Sequence, residues 1–147
     1  SYISNSLIMD YDILRKKLES MPADMSTVDK VAQLNEKSIK VPRRVMKIDI
    51  ERYLIVANKY FPLKASDNPI VIEIMTTLDI FDSFDCTDQE VMIKYTQAIN
   101  ALSALEMLTE NDRDNLLGFA YGNESWAKIN LGSEITSADL YSSWILQ

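Results

Sequence analysis

The chain has no histidine, one cysteine and three glycines in 147 residues. Each shortage removes a class of chemistry. Without His there is no imidazole base, and the commonest transition-metal ligand is missing. A lone Cys86 forms no internal disulfide and no thiolate zinc site. With Gly only at 118, 122 and 132, a glycine-rich phosphate cradle is excluded. No stretch reaches 18 uncharged apolar residues, so no membrane-spanning helix is expected. No basic stretch followed by an apolar run opens the chain, so no signal peptide is expected. Ser1 reads as the residue left after removal of an initiator Met, or as a tag remnant. Cys86 fits a reducing compartment, and without a sign of secretion the sequon Asn123-Glu124-Ser125 reads as chance.

What is present is ordinary for a soluble globular chain: 47% apolar residues and 25% charged. The length allows one domain, 1–147, with a real core. The net charge is −7, which opposes broad binding to nucleic acid or anionic membrane.

The apolar spacing is mostly helical. Leu7, Tyr11, Leu14 and Leu18 form one stripe over 7–20, which Met21-Pro22 ends. Ser26 or Thr27 caps a second helix with Val28, Val31 and Leu34 inward, fading near Ser38. Pro42 pushes Val41 toward an extended conformation, so 39–47 reads as an extended connector, either a loop or a brief strand. Asp49 caps a helix over 50–61 with Ile50, Tyr53, Leu54, Ala57 and Phe61 inward, and Pro62 closes it.

Asp67-Asn68-Pro69 is a strong start signal, a cap followed by Pro at the first helical position. The segment 69–80 is apolar on nearly all faces and reads as the most buried helix, with a strand as the alternative. Residues 79–88 alternate acidic and apolar and read as a loop pinned by Phe81 and Phe84. Thr87 caps a long helix over 88–106, with Val91, Tyr95, Ala98, Ile99, Leu102 and Leu105 inward. Thr109-x-x-Asp112 resembles a capping box for a helix with Leu116, Leu117 and Ala120, which Gly122 ends at C′. A short turn holds Trp126 and Ile129, and Gly132 breaks the chain. Thr136-x-x-Asp139 starts a last helix with Leu140, Tyr141 and Trp144. The expectation is a single compact all-α domain of about seven helices with short loops.

Five constellations bear on chemistry or binding. The acidic residues Asp79, Asp82, Asp85, Asp88 and Glu90 fail as a calcium loop, because Phe81 and Phe84 occupy the third and sixth positions. They read as a solvated acidic loop that favours the next helix's N-terminus. Carboxylates alone could support acid–base work, yet no pair is singled out. Cys86 has no activating base and reads as packing. The basic run Lys37, Lys40, Arg43, Arg44 and Lys47 is opposed within 36–47 only by Glu36, so that window is +4 and the remainder −11. It reads either as a connector whose arginines pair with the chain's own acid, as a dock for an acidic partner, or as a phosphate-binding edge. Phe119, Tyr121, Trp126, Tyr141 and Trp144 read as a second small core or a partner-facing anchor. Spacing favours core for Trp126 and Tyr141 and leaves both readings open for Trp144.

Several strings in order resemble a known group. They are Leu34-Asn35, Ile39-Lys40-Val41-Pro42-Arg43-Arg44 and Ile48-Asp49-Ile50-Glu51-Arg52-Tyr53-Leu54. Then come Leu108-Thr109-Glu110-Asn111-Asp112-Arg113-Asp114-Asn115-Leu116-Leu117, Ser125-Trp126-Ala127 and Ile135-Thr136-Ser137-Ala138-Asp139-Leu140. Over about 30–141 these resemble a family of small uncharacterised all-α proteins of tailed bacteriophages, encoded near tail and lysis genes. The members are richer in Ala and Gly, and Asn130-Leu131-Gly132 stands here where they often place Gly-Leu-Gly.

The resemblance implies a phage gene product of the virion or its assembly and carries over no functional residue. The expected function is that of a non-enzymatic tail or tail-tip protein, present in many copies and acting by docking on other virion proteins. The expected partner-binding residues are Lys37, Lys40, Arg43, Arg44, Lys47 and Trp144, with no cofactor, metal or small-molecule substrate. One alternative is a phage-encoded adaptor or inhibitor that binds a host protein inside the cell. Another is a nucleic-acid-binding accessory of packaging or replication.

Overall fold

Backbone punctuation decides where each element of this chain starts and stops. The computed structural model describes residues 9–145. In chain order the elements are α1 (Tyr11–Glu19), α2 (Thr27–Asn35), β1 (Ile39–Pro42), β2 (Arg44–Met46), α3 (Lys47–Val56), α4 (Tyr60–Ala65), α5 (Pro69–Ile80), β3 (Ser83–Asp85), α6 (Gln89–Ala104), α7 (Glu110–Gly118), β4 (Tyr121–Glu124), α8 (Trp126–Leu131) and α9 (Ser137–Ile145). Strands β1 and β4 make one two-stranded sheet, and β2 and β3 another. The fold is therefore mainly helical and not strictly all-α, with nine helices among the described residues where about seven were expected.

The chain divides into two compact units: residues up to 40 together with those from 123 on, and residues 41–122 between them. The chain passes between units within β1 and again within β4.

In the first unit, Asp10 caps α1 by accepting from the backbone N–H groups of Asp12 and Ile13. Leu14 and Leu18 point inward from α1 and meet Leu34, Ala127, Ile135 and Leu140 in one buried cluster. Leu7, the expected start of the α1 stripe, lies outside the described residues. Ser26 caps α2 through the Asp29 N–H. Val28, expected inward, is exposed, because the inward stripe runs through Val31 and Leu34 instead. The Asn35 side chain clamps Ile135 at two points, donating to its carbonyl at 2.8 Å and accepting from its N–H at 2.9 Å. The expected turn at Trp126 is the short helix α8, capped by Ser125. Gly132 ends it with φ of 83°, a left-handed conformation that glycine adopts without penalty. Thr136 and Asp139 form a reciprocal capping box at α9. Tyr141, expected in the core, is 70% exposed, while Leu140 and Ser143 on the same helix are buried.

In the second unit, β2 and β3 run antiparallel with Val45 opposite Phe84. The connector 39–47 thus carries strands, and the acidic segment 79–88 is not all loop. The helix expected over 50–61 starts earlier and breaks sooner. Met46 is its cap position, and Asp49 sits inside the first turn. Asn58 at φ of 60° ends α3, with its N–H on Ile55 O and the Lys59 N–H on Leu54 O, a Schellman end. Pro62 then lies in the first turn of α4, where its missing N–H costs nothing, so it closes no helix. Leu63 takes the buried place assigned to Phe61, which is 70% exposed. Helix α6 ends the same way, with Glu106 left-handed at φ of 60°.

The cap of α6 is Asp88, not Thr87. Leu105, expected inward on α6, forms its C-cap and is exposed. Asn68 caps α5 with Pro69 at the first position, as the sequence predicts. Only Val71, Met75 and Leu78 of α5 are buried, so it is not buried on all faces. Gly122 lies in β4, and α7 ends four residues before it. Buried Leu54, Leu63, Val71, Ile99, Leu102 and Leu116 belong to this unit's core.

Candidate functional site

The basic run is divided between the two units. Lys37 and Lys40 belong to the first unit; Arg43, Arg44 and Lys47 belong to the second. Side chains alternate along an extended segment, so adjacent Arg43 and Arg44 have different partners. Arg43 donates from Nε to Phe119 O at 2.8 Å and from its backbone N–H to Ala120 O at 2.8 Å. Arg44 donates to Ser83 Oγ at 2.9 Å and to Asp85 Oδ2 at 3.3 Å, across the β2–β3 pair. The Lys47 ammonium lies 3.9 Å from Asp82 Oδ1. Lys37 and Lys40 are exposed, and Trp144 on α9 is 48% exposed.

The acidic segment is therefore the counterpart of the basic one. Asp85 faces Arg44, Asp82 faces Lys47, Asp79 takes a 2.7 Å bond from Lys64, and Asp88 is spent as a cap. The Thr87 hydroxyl holds the Asp85 carboxyl below the usual range against desolvation, helped by the Thr87 N–H and the Arg44 charge. No three His, Cys, Asp or Glu residues among those described cluster as metal ligands. Cys86 is 1% exposed, and burial, then the neighbouring Asp85 charge, pushes its thiol up. That is the environment of a packing cysteine.

The late aromatics divide between the units. Phe119 and Tyr121 pack on the second unit's core, with Phe119 edge-on to Tyr53 at 5.8 Å. Trp126 packs on the first unit's core under the Lys17 ammonium, 5.5 Å from the ring centre.

A groove of about 690 Å³ in the second unit was not foreseen. One wall is a stripe of α5 at three- and four-residue steps: Ile70, Glu73, Ile74 and Thr77, continued by Phe81. The other is a stripe of α6: Val91, Lys94, Tyr95, Ala98 and Leu102. Buried Leu54, Leu78, Ile99 and Leu116 also line it. Volume and lining are those of a typical binding cleft, apolar with a few polar groups. The Tyr95 hydroxyl is already spent, donating to Leu116 O at 2.5 Å. Burial pushes its phenol far up, so it stays neutral and acts as no base. The groove is equipped to hold apolar groups between two acids, Glu73 and the Arg44-paired Asp85, and one base, Lys94. The sequence signal was the apolar excess of α5: Ile70 at 49% and Phe81 at 52% exposure belong to the groove rather than the core.

No helix among the described residues is long and apolar enough to cross a membrane. No protein-family model, curated protein or solved structure matches this chain.

Proposed function

We propose that this chain is a virion protein of a tailed bacteriophage, in the tail or tail-tip region, that works by docking rather than catalysis. The observation that carries this is the α5–α6 groove, an apolar surface held open to solvent with Ile70 and Phe81 half exposed. Contiguous exposed apolar surface of this kind marks interaction sites. The resemblance of the Val41-Pro42-Arg43-Arg44 region to phage proteins supplies the setting. The basic residues Lys37, Lys40, Arg43, Arg44 and Lys47 serve in steering toward an acidic partner, and Trp144 adds apolar contact. The ion pairs of Arg44 and Lys47 are on the surface, where such pairs contribute about 0–1 kcal/mol, so a partner's acid can replace Asp85 or Asp82 at little cost.

Mass spectrometry of purified particles from the encoding phage tests the assignment. Stoichiometric copies are expected. Absence from particles, with the protein recovered bound to a host protein, would replace this reading with that of an intracellular adaptor. Charge reversal at Arg43 and Arg44 is expected to reduce incorporation, and unchanged incorporation removes their docking role.

A further inference from the structure

We infer that the α5–α6 groove receives a second copy of this chain about a two-fold axis, each copy laying its exposed α5 stripe into the other's groove. This deepens the docking reading, on which it rests for mode of action alone.

The argument starts from charge. Glu73 stands on the α5 wall and Lys94 on the α6 wall, and both are exposed. Neither has an ion-pair partner among the described residues. Most other charges nearby are matched within the chain: Arg44 with Asp85, Lys47 with Asp82, Lys64 with Asp79. A two-fold contact brings residue i of one copy to residue j of the other, and j to i. One unmatched acid and one unmatched base on opposite walls are complementary to themselves under that operation. Glu73 of each copy meets Lys94 of its neighbour, twice over.

Shape agrees with charge. The groove needs an apolar ridge to fill it, and the chain carries one in Ile70, Ile74 and Phe81 at helical spacing. The same wall is ridge in one copy and groove in the other. A small apolar ligand would fill the cleft as well, but it would leave Glu73 unanswered.

Sedimentation equilibrium on the purified protein is the test. A dimer with Kd of about 10 µM or tighter is expected. Glu73→Lys or Lys94→Glu alone should weaken it by about tenfold or more, since each places like charges together twice. The two single variants mixed should recover the dimer, because one copy then offers a base on both walls and the other an acid on both. The double variant, with both charges exchanged, should recover it too. Circular dichroism is expected to show both single variants folded, as both side chains are on the surface. A wild type that stays monomeric at about 100 µM overturns the proposal, and so do single variants that dimerise normally or mixtures that fail to recover. A monomer still found in particles would sink the groove assignment and leave the virion reading; a dimer absent from particles would do the reverse.

Discussion

The Tyr53 hydroxyl donates to Asp112 Oδ1 at 2.8 Å, tying α3 to the first turn of α7. The other carboxylate oxygen accepts from the Thr109 N–H at 3.1 Å, and the Asp112 N–H returns a bond to Thr109 Oγ1 at 3.0 Å. Asp112 is buried, and both of its oxygens are in use. Asp112→Asn keeps the shape but turns one acceptor into a donor facing another donor. The expected loss is about 1–2 kcal/mol in urea unfolding, from a damaged cap and an unmatched polar group. Tyr53→Phe should cost about 1 kcal/mol.

The same carboxylate gives the protein an acid-sensitive element. Burial pushes the Asp112 pKa up, but bonds from the Thr109 N–H, the Tyr53 hydroxyl and the Thr109 hydroxyl, with the Lys59 charge, outweigh it, so the folded value is depressed. A depressed carboxyl binds its proton less tightly when folded than when unfolded. Its stabilisation is then complete above the unfolded value, about 3.9, and fades as pH falls through the folded one. Urea midpoints measured downward from about pH 5 should fall more steeply in the wild type than in Asp112→Asn. Parallel curves would deny the carboxylate this role.

Glu106 ends α6 at φ of 60°, a conformation that costs a residue with a Cβ about 1 kcal/mol. Glu106→Gly removes that strain, at some cost in unfolded-chain entropy. The expected net is a gain of about 0.5 kcal/mol, seen as a higher melting temperature. Asn58, in the same conformation at the end of α3, should gain less from Asn58→Gly, because Asn tolerates it better.

Leu116 is fully buried in the second unit, where it lines the groove as well. Leu116→Ala should cost about 2–5 kcal/mol. Phe61, larger and apolar, is 70% exposed, and Phe61→Ala should change stability by about 0.5 kcal/mol or less. Thermal melts of the two variants, side by side, check both statements.

Arg44 separates scaffold from dock. Its bonds to Ser83 and Asp85 lie on the surface, and Arg44→Ala should cost about 1 kcal/mol or less. A large loss of particle incorporation from so small a loss of stability would locate the effect at a partner. A large loss of stability would make the residue a clamp between β2 and β3.

Helix starts were the most legible part of the sequence, because caps are local chemistry. Asn68-Pro69, Thr109 with Asp112 and Thr136 with Asp139 each announce an N-terminus by residue type and spacing alone. The end of α3 was not legible, whereas the helix expected over 88–106 does end at Ala104, and Gly122, expected to end α7, lies in β4. Asn58 adopts the left-handed conformation that glycine advertises, so the break between α3 and α4 had no marker. β2 lies in the segment already read as extended, but β3 and its pairing were hidden for a different reason. The pairing of Arg44 with Asp85 spans a long stretch of chain, and no local pattern reports it. The basic and acidic segments are segregated in sequence yet interleave in space, so Arg44 and Lys47 find partners that spacing could not name. The groove was misread as core because periodicity reports which residues are apolar, not how far apart two helices stand.

The division of the chain sets an order of events during synthesis. Residues 41–122 are contiguous and hold a complete hydrophobic cluster of their own. The other unit must bring Leu14, Leu18 and Leu34 together with Ala127, Ile135 and Leu140, across more than the whole length of that insert. On a ribosome, the middle is finished while the early helices still wait for their mates. Those helices spend that interval with an apolar face bare, and it is there that a chaperone or a premature neighbour would find this protein first.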